Sequence, residues 1–399
     1  MSKRLDCDIA IVGAGPAGLI AAAALAMTGK HICLIDRFDP RQSAKTDASD
    51  TRSTAFLGPA IELFKSTGIW PELLPHAHRL RALRIVDLAG DPPSLRAQKT
   101  FMPDDLGLQE FGWNILNEKL KSALLDHLAG LQNVTFALGH GVERLFSRTS
   151  HIRLTLAYGT RVASQLAVAA DGRNSDLRRL AGIEVTTTRY GQTSLAFSVI
   201  HDEPHEDISS EFYHKGGPFT MVPLGRGPHG HRSAVVWMND GPRTERLRTA
   251  DAKAFDAEMN IRTAGQMGQM TLDSHRVAFP IITQRATSFT AQRVAVMAEA
   301  AHVLPPIGAQ GLNTSVGDVA ALLDLVTSHN DPGSSRALAQ YDTSREKDVR
   351  LRAGAIDLFN RVTRSGAPAL QSLRLGGLQA AYHITPLRQR LMQSGMGPI

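Results

Sequence analysis

The sequence is poor in cysteine, with only Cys7 and Cys33 among its 399 residues. Both fall in predicted neighbouring core strands, where a thiol packs as a small hydrophobe, and this usage is typical of a reducing cytoplasm. Two cysteines at this spacing make no zinc site, and no other metal cluster, Ser-His-Asp set or pair of carboxylates stands out. The sequence therefore indicates no metal and leaves the catalytic group unknown.

Long apolar runs are also missing. No stretch of about 18 uncharged apolar residues occurs, which predicts that no helix crosses a membrane. The apolar stretch near the N-terminus is interrupted by Asp8 and by a glycine motif, unlike a signal peptide, so we expect a cytoplasmic protein. The net charge of +6 is modest, and no RNP motif, zinc finger or basic zipper is present, so we expect no nucleic-acid partner.

Acidic residues are absent from the C-terminal region. Residues 358–399 contain no Asp or Glu, whereas the same stretch contains Arg361, Arg364, Arg374, Arg388 and Arg390. One interpretation is a solvated face or a cap on the core. The alternative is contact with an anionic membrane surface or with a partner protein, which would place the chain peripherally at the inner face of the membrane.

A glycine motif, Gly13–Gly18 (GAGPAG), is the clearest feature that is present. It follows the apolar run Cys7–Val12 and opens an Ala- and Leu-rich helix predicted over residues 17–28. His31–Ile35 is predicted to be a second buried strand, which ends at Asp36. This βαβ pattern predicts dinucleotide binding, because its glycines allow the turn, the approach of a pyrophosphate and close helix packing.

The same unit gives the first predicted binding residues. The N-terminus of the helix faces the phosphates with N–H groups and a positive dipole, and the acid at the end of the second strand accepts hydrogen bonds from a ribose. The residues predicted to bind this part of the dinucleotide are Gly13, Gly15, Ala17, Gly18, Asp36 and Arg37.

The rest of the chain predicts an α/β fold. Residues 133–146 and 151–158 are predicted as hairpin-like strands. Residues 186–285 contain short alternating segments with Gly/Pro turns and one helix near 250–264, which predicts a mostly antiparallel sheet. The apolar strand Val294–Met297 then returns to the first domain, and helices dominate from Thr314 onwards.

We therefore predict a Rossmann-like FAD-binding domain with an inserted substrate domain of α+β type and a helical C-terminus. The predicted boundaries are 1–75, 110–185 and 286–330 for the FAD-binding domain, 76–109 and 186–285 for the substrate domain, and 331–399 for the C-terminal helical region.

FAD is preferred over NAD because of two later motifs. Residues 169–178, with the pair Asp171-Gly172, and residues 299–313 resemble the middle and second FAD motifs of the para-hydroxybenzoate hydroxylase superfamily. Together with the N-terminal motif they span nearly the whole chain. Within that superfamily the sequence is most similar to the ubiquinone-biosynthesis hydroxylases. This finer resemblance is carried by residues 50–57, 111–117, 305–313, 318–322 and 391–396.

The resemblance implies an enzyme that hydroxylates an aromatic ring. FAD would be bound, NAD(P)H would act as a transient reductant without a second glycine motif, and O2 would be the co-substrate, through a flavin C4a-hydroperoxide. Glu299 would accept a hydrogen bond from a ribityl hydroxyl, and N–H groups of 306–313 would stabilise negative charge on the reduced flavin. The further cofactor residues implied are Arg52, Asn117, Asp171, Gly172, Glu299, Pro306, Gly308, Gln310, Gly311, Leu312 and Asn313.

Several positions depart from the family pattern. Ala298-Glu299 replaces the usual Gly-Asp, Gly317-Asp318 replaces a frequent Arg-Asp, and Glu118 stands where many relatives have a basic residue. We expect these changes to weaken FAD affinity without removing a motif.

Pro306 and His302 are the flavin-side candidates for a direct role, although for His302 a structural role is the favoured interpretation. Tyr190, His214 and His231 are interpreted as surface or structural residues.

Three functions stay open at this point. The first is hydroxylation of a polyprenylated phenol in ubiquinone biosynthesis, with a hydrophobic aromatic substrate and contact with a membrane surface or a ubiquinone-synthesis complex through the basic C-terminal region. The second is hydroxylation of a soluble phenol or aromatic acid. The third is a non-catalytic flavoprotein subunit of a biosynthetic complex.

Overall fold

The computed structural model describes residues 4–43, 52–227, 230–364 and 368–396. Asp50 and Thr51, which contribute to the family resemblance, lie outside these residues. The strands are β1 (Arg4–Asp6), β2 (Ile9–Val12), β3 (Ile32–Asp36), β4 (Ser53–Leu57), β5 (Ala77–Leu80), β6 (Ala82–Ala89), β7 (Ser94–Phe101), β8 (Gly112–Leu116), β9 (Val134–Leu138), β10 (Val142–Ser147), β11 (Ile152–Leu156), β12 (Arg161–Ser164), β13 (Leu166–Ala169), β14 (Val185–His201), β15 (Ile208–His214), β16 (Gly217–Gly227), β17 (Gly230–Asp240), β18 (Met270–Leu272), β19 (Val277–Ala286), β20 (Thr290–Ala291), β21 (Val294–Val296) and β22 (His302–Val303). The helices are α1 (Pro16–Ala26), α2 (Pro40–Ser43), α3 (Gly58–Ser66), α4 (Trp70–Leu73), α5 (Asn117–Ala129), α6 (Asp176–Leu180), α7 (Gly241–Thr249), α8 (Ala252–Arg262), α9 (Ala298–Ala301), α10 (Gln310–Ser328), α11 (Ser335–Arg364), α12 (Pro368–His383) and α13 (Thr385–Met396).

A six-stranded sheet forms the dinucleotide-binding half. Its order is β20-β21-β13-β2-β3-β9, and all neighbours are parallel except β20 and β21. The central strands β2 and β13 are continuous apolar runs, buried along their whole length as expected for parallel strands covered on both faces. Helix α1 packs against α5 and α10. The predicted Rossmann-like fold is confirmed.

One sequence prediction in this half is wrong. Residues 133–146 do not form one hairpin strand but divide into β9 and β10, on either side of a turn. Strand β9 pairs in parallel with β3, whereas β10 pairs antiparallel with β11 in a second sheet of order β1-β12-β11-β10. Gly139 has φ +82°, a conformation that glycine adopts at no steric cost, and it lets the chain turn between the sheets.

The larger sheet has the order β22-β19-β14-β17-β16-β15-β6-β7, and β18 pairs with β14. It is mostly antiparallel, as predicted, but β15 and β6 are parallel. One face packs Phe212, Phe219 and Trp237 against Phe255 of α8. The helix predicted near 250–264 is α8, and a further helix that was not predicted, α7, precedes it; Asp240 and Asp251 each accept a hydrogen bond at the N-terminus of one of these helices.

The C-terminal region is helical, as predicted. Helix α12 packs against β7, and α13 packs against the single turn of 3-10 helix at Pro103–Leu106. Among the described residues, no helix combines the length and apolar character of a membrane span. Arg374 on α12 pairs with the buried Asp87, and Arg388 on α13 pairs with Asp105 at 2.6 Å. These two arginines of the acid-free region therefore fasten its helices onto the large sheet and its connections.

Candidate functional site: a cofactor edge that opens into an apolar chamber

The sequence motifs meet at one edge of the parallel sheet. Strands β21, β13, β2 and β3 are adjacent and parallel, so their carboxyl ends lie side by side. Gly13 follows β2, Asp36 ends β3, Asp171 follows β13 and Glu299 follows β21. Ligands of open α/β sheets bind beyond this edge, which is where the chain collects its candidate cofactor residues.

Each of the three glycines of the N-terminal motif lacks a side chain for a different structural reason. Gly13 has φ +117°, and a Cβ there would lie 2.2 Å from the Ala170 carbonyl oxygen. A Cβ on Gly18 would lie 1.9 Å from the Gly13 carbonyl oxygen, so the helix packs against the strand only without a side chain. A Cβ on Gly15 would meet no atom within 4 Å. Gly15 therefore leaves open space at the N-terminus of α1, where a pyrophosphate group fits.

Asp36 is held at the cavity wall by backbone donors. The Ala14 N–H donates to Oδ2 of Asp36 at 2.6 Å, and the Phe38 N–H donates to Oδ1 at 2.8 Å. The carboxylate is thus fixed beside the glycine turn, at the position where a ribose would lie. The adjacent Arg37 also lines the cavity and forms an ion pair with Asp176.

Asp171 anchors the loop that follows β13. Its Oδ2 accepts hydrogen bonds from the N–H groups of Asp176, at 2.8 Å, and Leu177, at 3.2 Å, and the Ser175 hydroxyl donates to Oδ1. Burial raises the pKa of Asp171, although these hydrogen bonds oppose that shift. The carboxyl therefore fixes the N-terminus of α6 and places Gly172 at the cavity.

The departure at positions 298 and 299 has a visible consequence. Ala298 has φ +53°, a left-handed conformation that costs a residue with a Cβ about 1–2 kcal/mol relative to glycine. The Glu299 carboxylate is half-exposed and lies 3.4 Å from Nε of Arg173. A glycine at 298 would remove that cost, while Glu299 still directs an acceptor towards the cavity.

The motif at residues 299–313 includes the loop from which α10 begins. Asn313 fastens the start of this helix to β4, since its Nδ2 donates to the Ala55 and Ala309 carbonyls at 2.7 Å and its Oδ1 accepts from the Leu57 N–H at 3.0 Å. Gln310 donates to the Gly395 carbonyl at 2.6 Å, which ties the loop to α13. The N-terminus of α10, with its positive dipole end, faces the cavity.

A single cavity of about 1170 Å³ runs along this edge. Gly18 and Asn313 lie behind its wall and support it, whereas the other predicted cofactor residues line it. These lining residues are Gly13, Gly15, Ala17, Asp36, Arg37, Arg52, Asn117, Asp171, Gly172, Glu299, Pro306, Gly308, Gln310, Gly311 and Leu312. The open space at Gly15, the acids at the strand ends and the helix N-termini fit a bound dinucleotide.

The cavity continues beneath the large sheet as a mostly apolar chamber. Its walls combine the sheet face opposite α8 with residues of the C-terminal helices. Representative apolar lining residues are Leu80, Ile85, Phe111, Val222, Val236, Phe279, Ile281, Leu304, Leu378, Leu391 and Met392. This chamber suits a hydrophobic substrate.

A few polar side chains interrupt the apolar wall, and the sequence analysis missed them. Asp87, Glu211, Tyr213 and Arg374 line the chamber where β6, β15 and α12 meet. Asp87 pairs with both Arg96 and Arg374, and the Tyr213 hydroxyl donates to Oε2 of Glu211. The available signal was the placement of Glu211 and Tyr213 on either side of Phe212 in β15, because residues two apart share one face of a strand.

His302, Asp318 and Arg345 form a buried group beside the cavity. Nε2 of His302 and Nε of Arg345 each lie 2.7 Å from an oxygen of Asp318, whose Oδ2 also accepts the Ala298 N–H at 2.8 Å. Burial opposes ionisation of Asp318, but the charges and hydrogen bonds of His302 and Arg345 outweigh it and lower the pKa. His302 lines the cavity, and its Nε2 contacts the carboxyl group that also holds the turn before Glu299.

The remaining candidate side chains have structural partners away from the cavity. The Tyr190 hydroxyl donates to Oδ1 of Asp357 at 2.7 Å, and Nε2 of His214 lies 3.0 Å from the Gly90 carbonyl. His78, His205 and Asp207 lie close enough to hold a metal ion.

Their polar atoms are nevertheless already engaged with one another and with the backbone. Nε2 of His78 contacts Asp207 at 2.9 Å, and Nδ1 of His205 accepts the Asp207 N–H at 3.0 Å. The other ring nitrogen of His205 lies 3.2 Å from the Leu224 carbonyl. We therefore assign this group a structural role.

A dinucleotide edge that opens directly into an apolar chamber suits a flavin-dependent aromatic monooxygenase, and similarity to known proteins places the chain in this class. The chain matches the family model of the FAD binding domain over residues 6–351 and belongs to that family. FAD is thus the cofactor, as the motifs predict.

Relatives and solved structures agree with this class. The chain is 29% identical over 396 residues to the ubiquinone hydroxylase UbiL of Rhodospirillum rubrum, covering 98% of this chain and 90% of that protein. It is 26% identical over 395 residues to the 3-demethoxyubiquinol 3-hydroxylase of Escherichia coli, covering 98% of each. The p-nitrophenol 4-monooxygenase PnpA of Pseudomonas putida has the same fold, with a TM-score of 0.80, 16% identity and coverage of 100% of both chains.

Proposed function

We propose that this protein hydroxylates the ring of a polyprenylated phenol in ubiquinone biosynthesis. The observation that carries the proposal is the single cavity that joins the FAD motifs to an apolar chamber bounded by α12 and α13. Its volume of about 1170 Å³ exceeds the roughly 1,000 Å³ of large pockets for one small molecule. The cavity thus has room for a dinucleotide and an apolar substrate, and two relatives named as ubiquinone-pathway hydroxylases support the substrate class.

When bound, FAD accepts electrons from NAD(P)H and activates O2, and ring hydroxylation requires both of these functions. The chain contributes binding, orientation and the exclusion of water. We propose that Gly15 and the N-terminus of α1 hold the pyrophosphate, Asp36 the adenosine ribose and Glu299 the ribityl chain. The remaining proposed contacts to FAD are those of Gly13, Ala17, Arg37, Arg52, Asn117, Asp171, Gly172, Pro306, Gly308, Gln310, Gly311 and Leu312, with Gly18 and Asn313 supporting the wall behind them.

Contact with a membrane is part of the proposal, because a polyprenylated substrate resides in lipid. Helix α13 and the residue before it carry three exposed apolar side chains at a spacing of three and four residues, which places them on one face. They are Ile384, Leu387 and Leu391, with exposed fractions of 52%, 37% and 50%. Leu391 also lines the cavity. We propose that this apolar face, with the exposed Arg390 beside it, rests on an anionic membrane surface near the entrance for the substrate.

Deletion of the gene tests the substrate. We expect the deletion strain to lose ubiquinone and to accumulate a polyprenylated precursor that lacks one ring oxygen, measured by mass spectrometry of lipid extracts. Complementation with the wild-type gene should restore the quinone. An unchanged quinone pool together with lost growth on a soluble aromatic compound would instead favour the soluble-phenol function. If the FAD-loaded protein oxidises NAD(P)H no faster with phenols, the non-catalytic function is favoured.

A further inference from the structure

The apolar chamber contains a carboxyl group that the fold does not neutralise. Glu211 lies on the chamber face of β15, opposite Thr220 of β16 and Ile85 of β6. Its side chain is buried, with the whole residue 8% exposed. Among the described residues, no cation forms an ion pair with Glu211, and its side-chain hydrogen-bond partner is the hydroxyl of Tyr213.

The neighbouring acid shows what a structural carboxylate in this wall requires. Asp87 lies one strand away, where β6 pairs with β15, and it is paired with two guanidinium groups, those of Arg96 and Arg374. A buried acid without such a partner is costly, and in native structures it is retained mainly where it has a role. One oxygen of Glu211 accepts a hydrogen bond from the neutral hydroxyl of Tyr213, and the carboxyl group lines the cavity.

The hydrogen-bonding capacity of Glu211 matches a ring hydroxyl. Burial raises the pKa of Glu211, so the group exchanges a proton nearer to neutral pH than an exposed glutamate does. In either protonation state a carboxyl oxygen can accept the hydrogen of a phenol, and the protonated form can also donate to a ring oxygen. The surrounding wall residues offer apolar contacts to the remainder of the ring.

We propose that Glu211 positions the substrate by a hydrogen bond to its ring hydroxyl, and that Tyr213 orients the Glu211 carboxyl group for this contact. The inference rests on the proposed function, since it assumes a phenolic substrate in the chamber. It assigns a specificity role: the enzyme distinguishes a free hydroxyl from a blocked one at this carboxyl. A site built to hydrogen-bond a hydroxyl rejects the analogue that lacks it, because its buried polar group is left unpaired.

Binding of two matched probes to the FAD-loaded full chain tests this. The probes are a farnesylated phenol and its methyl ether, and binding is followed by the change in flavin fluorescence. We expect the wild type to bind the phenol about tenfold or more tightly than the ether, as a charge-assisted hydrogen bond implies. Glu211→Leu should bring the two affinities within about twofold of each other by weakening phenol binding. Glu258→Leu on α8, on the opposite side of the sheet, should keep the wild-type ratio.

Glu211→Gln provides a second measurement if Glu211→Leu does not fold. Its amide keeps the shape of the side chain but does not titrate. Because burial raises the pKa of Glu211 above its ordinary 4.5, the phenol-to-ether ratio should vary with pH above 4.5 in the wild type and stay constant in Glu211→Gln. Persistence of the wild-type ratio in Glu211→Leu, or of its pH dependence in Glu211→Gln, would overturn this inference alone. Failure of both probes to bind the wild type would overturn the proposed function as well.

Discussion

Nε2 of His302 lies 2.7 Å from Oδ2 of Asp318, and both side chains are buried. The same carboxyl oxygen accepts the Ala298 N–H, and the other oxygen pairs with Arg345. Asp318 therefore joins helix α10, on which it lies, to three other elements. These are the turn that follows β21, strand β22 and helix α11. The position of Glu299 at the cavity depends on this buried group.

Asp318→Asn should destabilise the protein by up to about 3–5 kcal/mol, because it removes one of the two anionic partners of the buried Arg345 and leaves only Asp348, 3.0 Å away. Asp324→Asn, on the exposed side of the same helix, should change the free energy of unfolding by less than about 0.5 kcal/mol. Urea denaturation of both variants measures the difference. Equal stabilities of the two variants would show that the contacts of Asp318 with His302 and Arg345 do not stabilise the fold.

The stability conferred by Asp318 should depend on pH. The folded-state pKa of Asp318 lies below its ordinary value of 3.8, so its contribution is present above pH 3.8 and is lost as the pH falls through the folded-state pKa. The wild type should therefore lose more stability than Asp318→Asn below pH 3.8. Acid titrations of unfolding, followed by circular dichroism, test this. Parallel titration curves would contradict it.

Gly15→Ala should separate cofactor binding from folding. A methyl group there meets no protein atom within 4 Å but enters the space assigned to the pyrophosphate. We expect FAD affinity to fall by about tenfold or more, or about 1.4 kcal/mol, while the apoprotein changes by less than about 1 kcal/mol. Gly18→Ala is the contrasting variant, since its methyl group would collide with the Gly13 carbonyl and destabilise even the apoprotein. FAD titration and thermal unfolding distinguish the two outcomes.

Ala298→Gly should stabilise the apoprotein. It removes a left-handed conformation that costs alanine about 1–2 kcal/mol, while the greater freedom of glycine in the unfolded chain offsets roughly 0.4–1 kcal/mol. The expected net gain is up to about 1.6 kcal/mol, measured by urea denaturation. Ala300→Gly, in the same short helix but with a conventional backbone, should lose stability instead. Destabilisation of Ala298→Gly would mean that the turn is not strained.

The paired substitution Ile384→Ser and Leu387→Ser should weaken binding to anionic vesicles. Each side chain that leaves the lipid forfeits about 1.5–3 kcal/mol at most, so co-sedimentation should fall by about tenfold or more. Ile261→Ser with Leu180→Ser is the matched control, because these residues are 52% and 40% exposed on other helices. Equal vesicle binding by both double variants would refute docking through α13.

Much of the cofactor site could be predicted from the sequence because it consists of local motifs. The turn at Gly13–Gly18 and the loop before α10 each specify their own backbone geometry through glycine and the adjacent helix N-terminus. Asp36 and Glu299 could be placed because each follows a predicted buried strand, and Asp171 could be placed because it belongs to a motif. The fold class followed from the same alternation of strands and helices.

The sequence was less informative wherever pairing partners are distant. The division of residues 133–146 between two sheets depends on which strand each half contacts, and a short apolar run does not specify its partner. The sequence also could not show that Arg374 and Arg388 of the acid-free C-terminal region pair with Asp87 and Asp105, which lie almost 300 residues earlier.

The sequence by itself thus determined the cofactor and the class of chemistry, because contiguous residues define each motif. Only the tertiary structure decided how the apolar chamber is closed and which polar groups face its interior. Glu211 and Tyr213 reach the same chamber as Glu299 only because a sheet, two helices and a cofactor edge pack together. Such a juxtaposition arises from long-range packing, which the order of residues along one strand does not reveal.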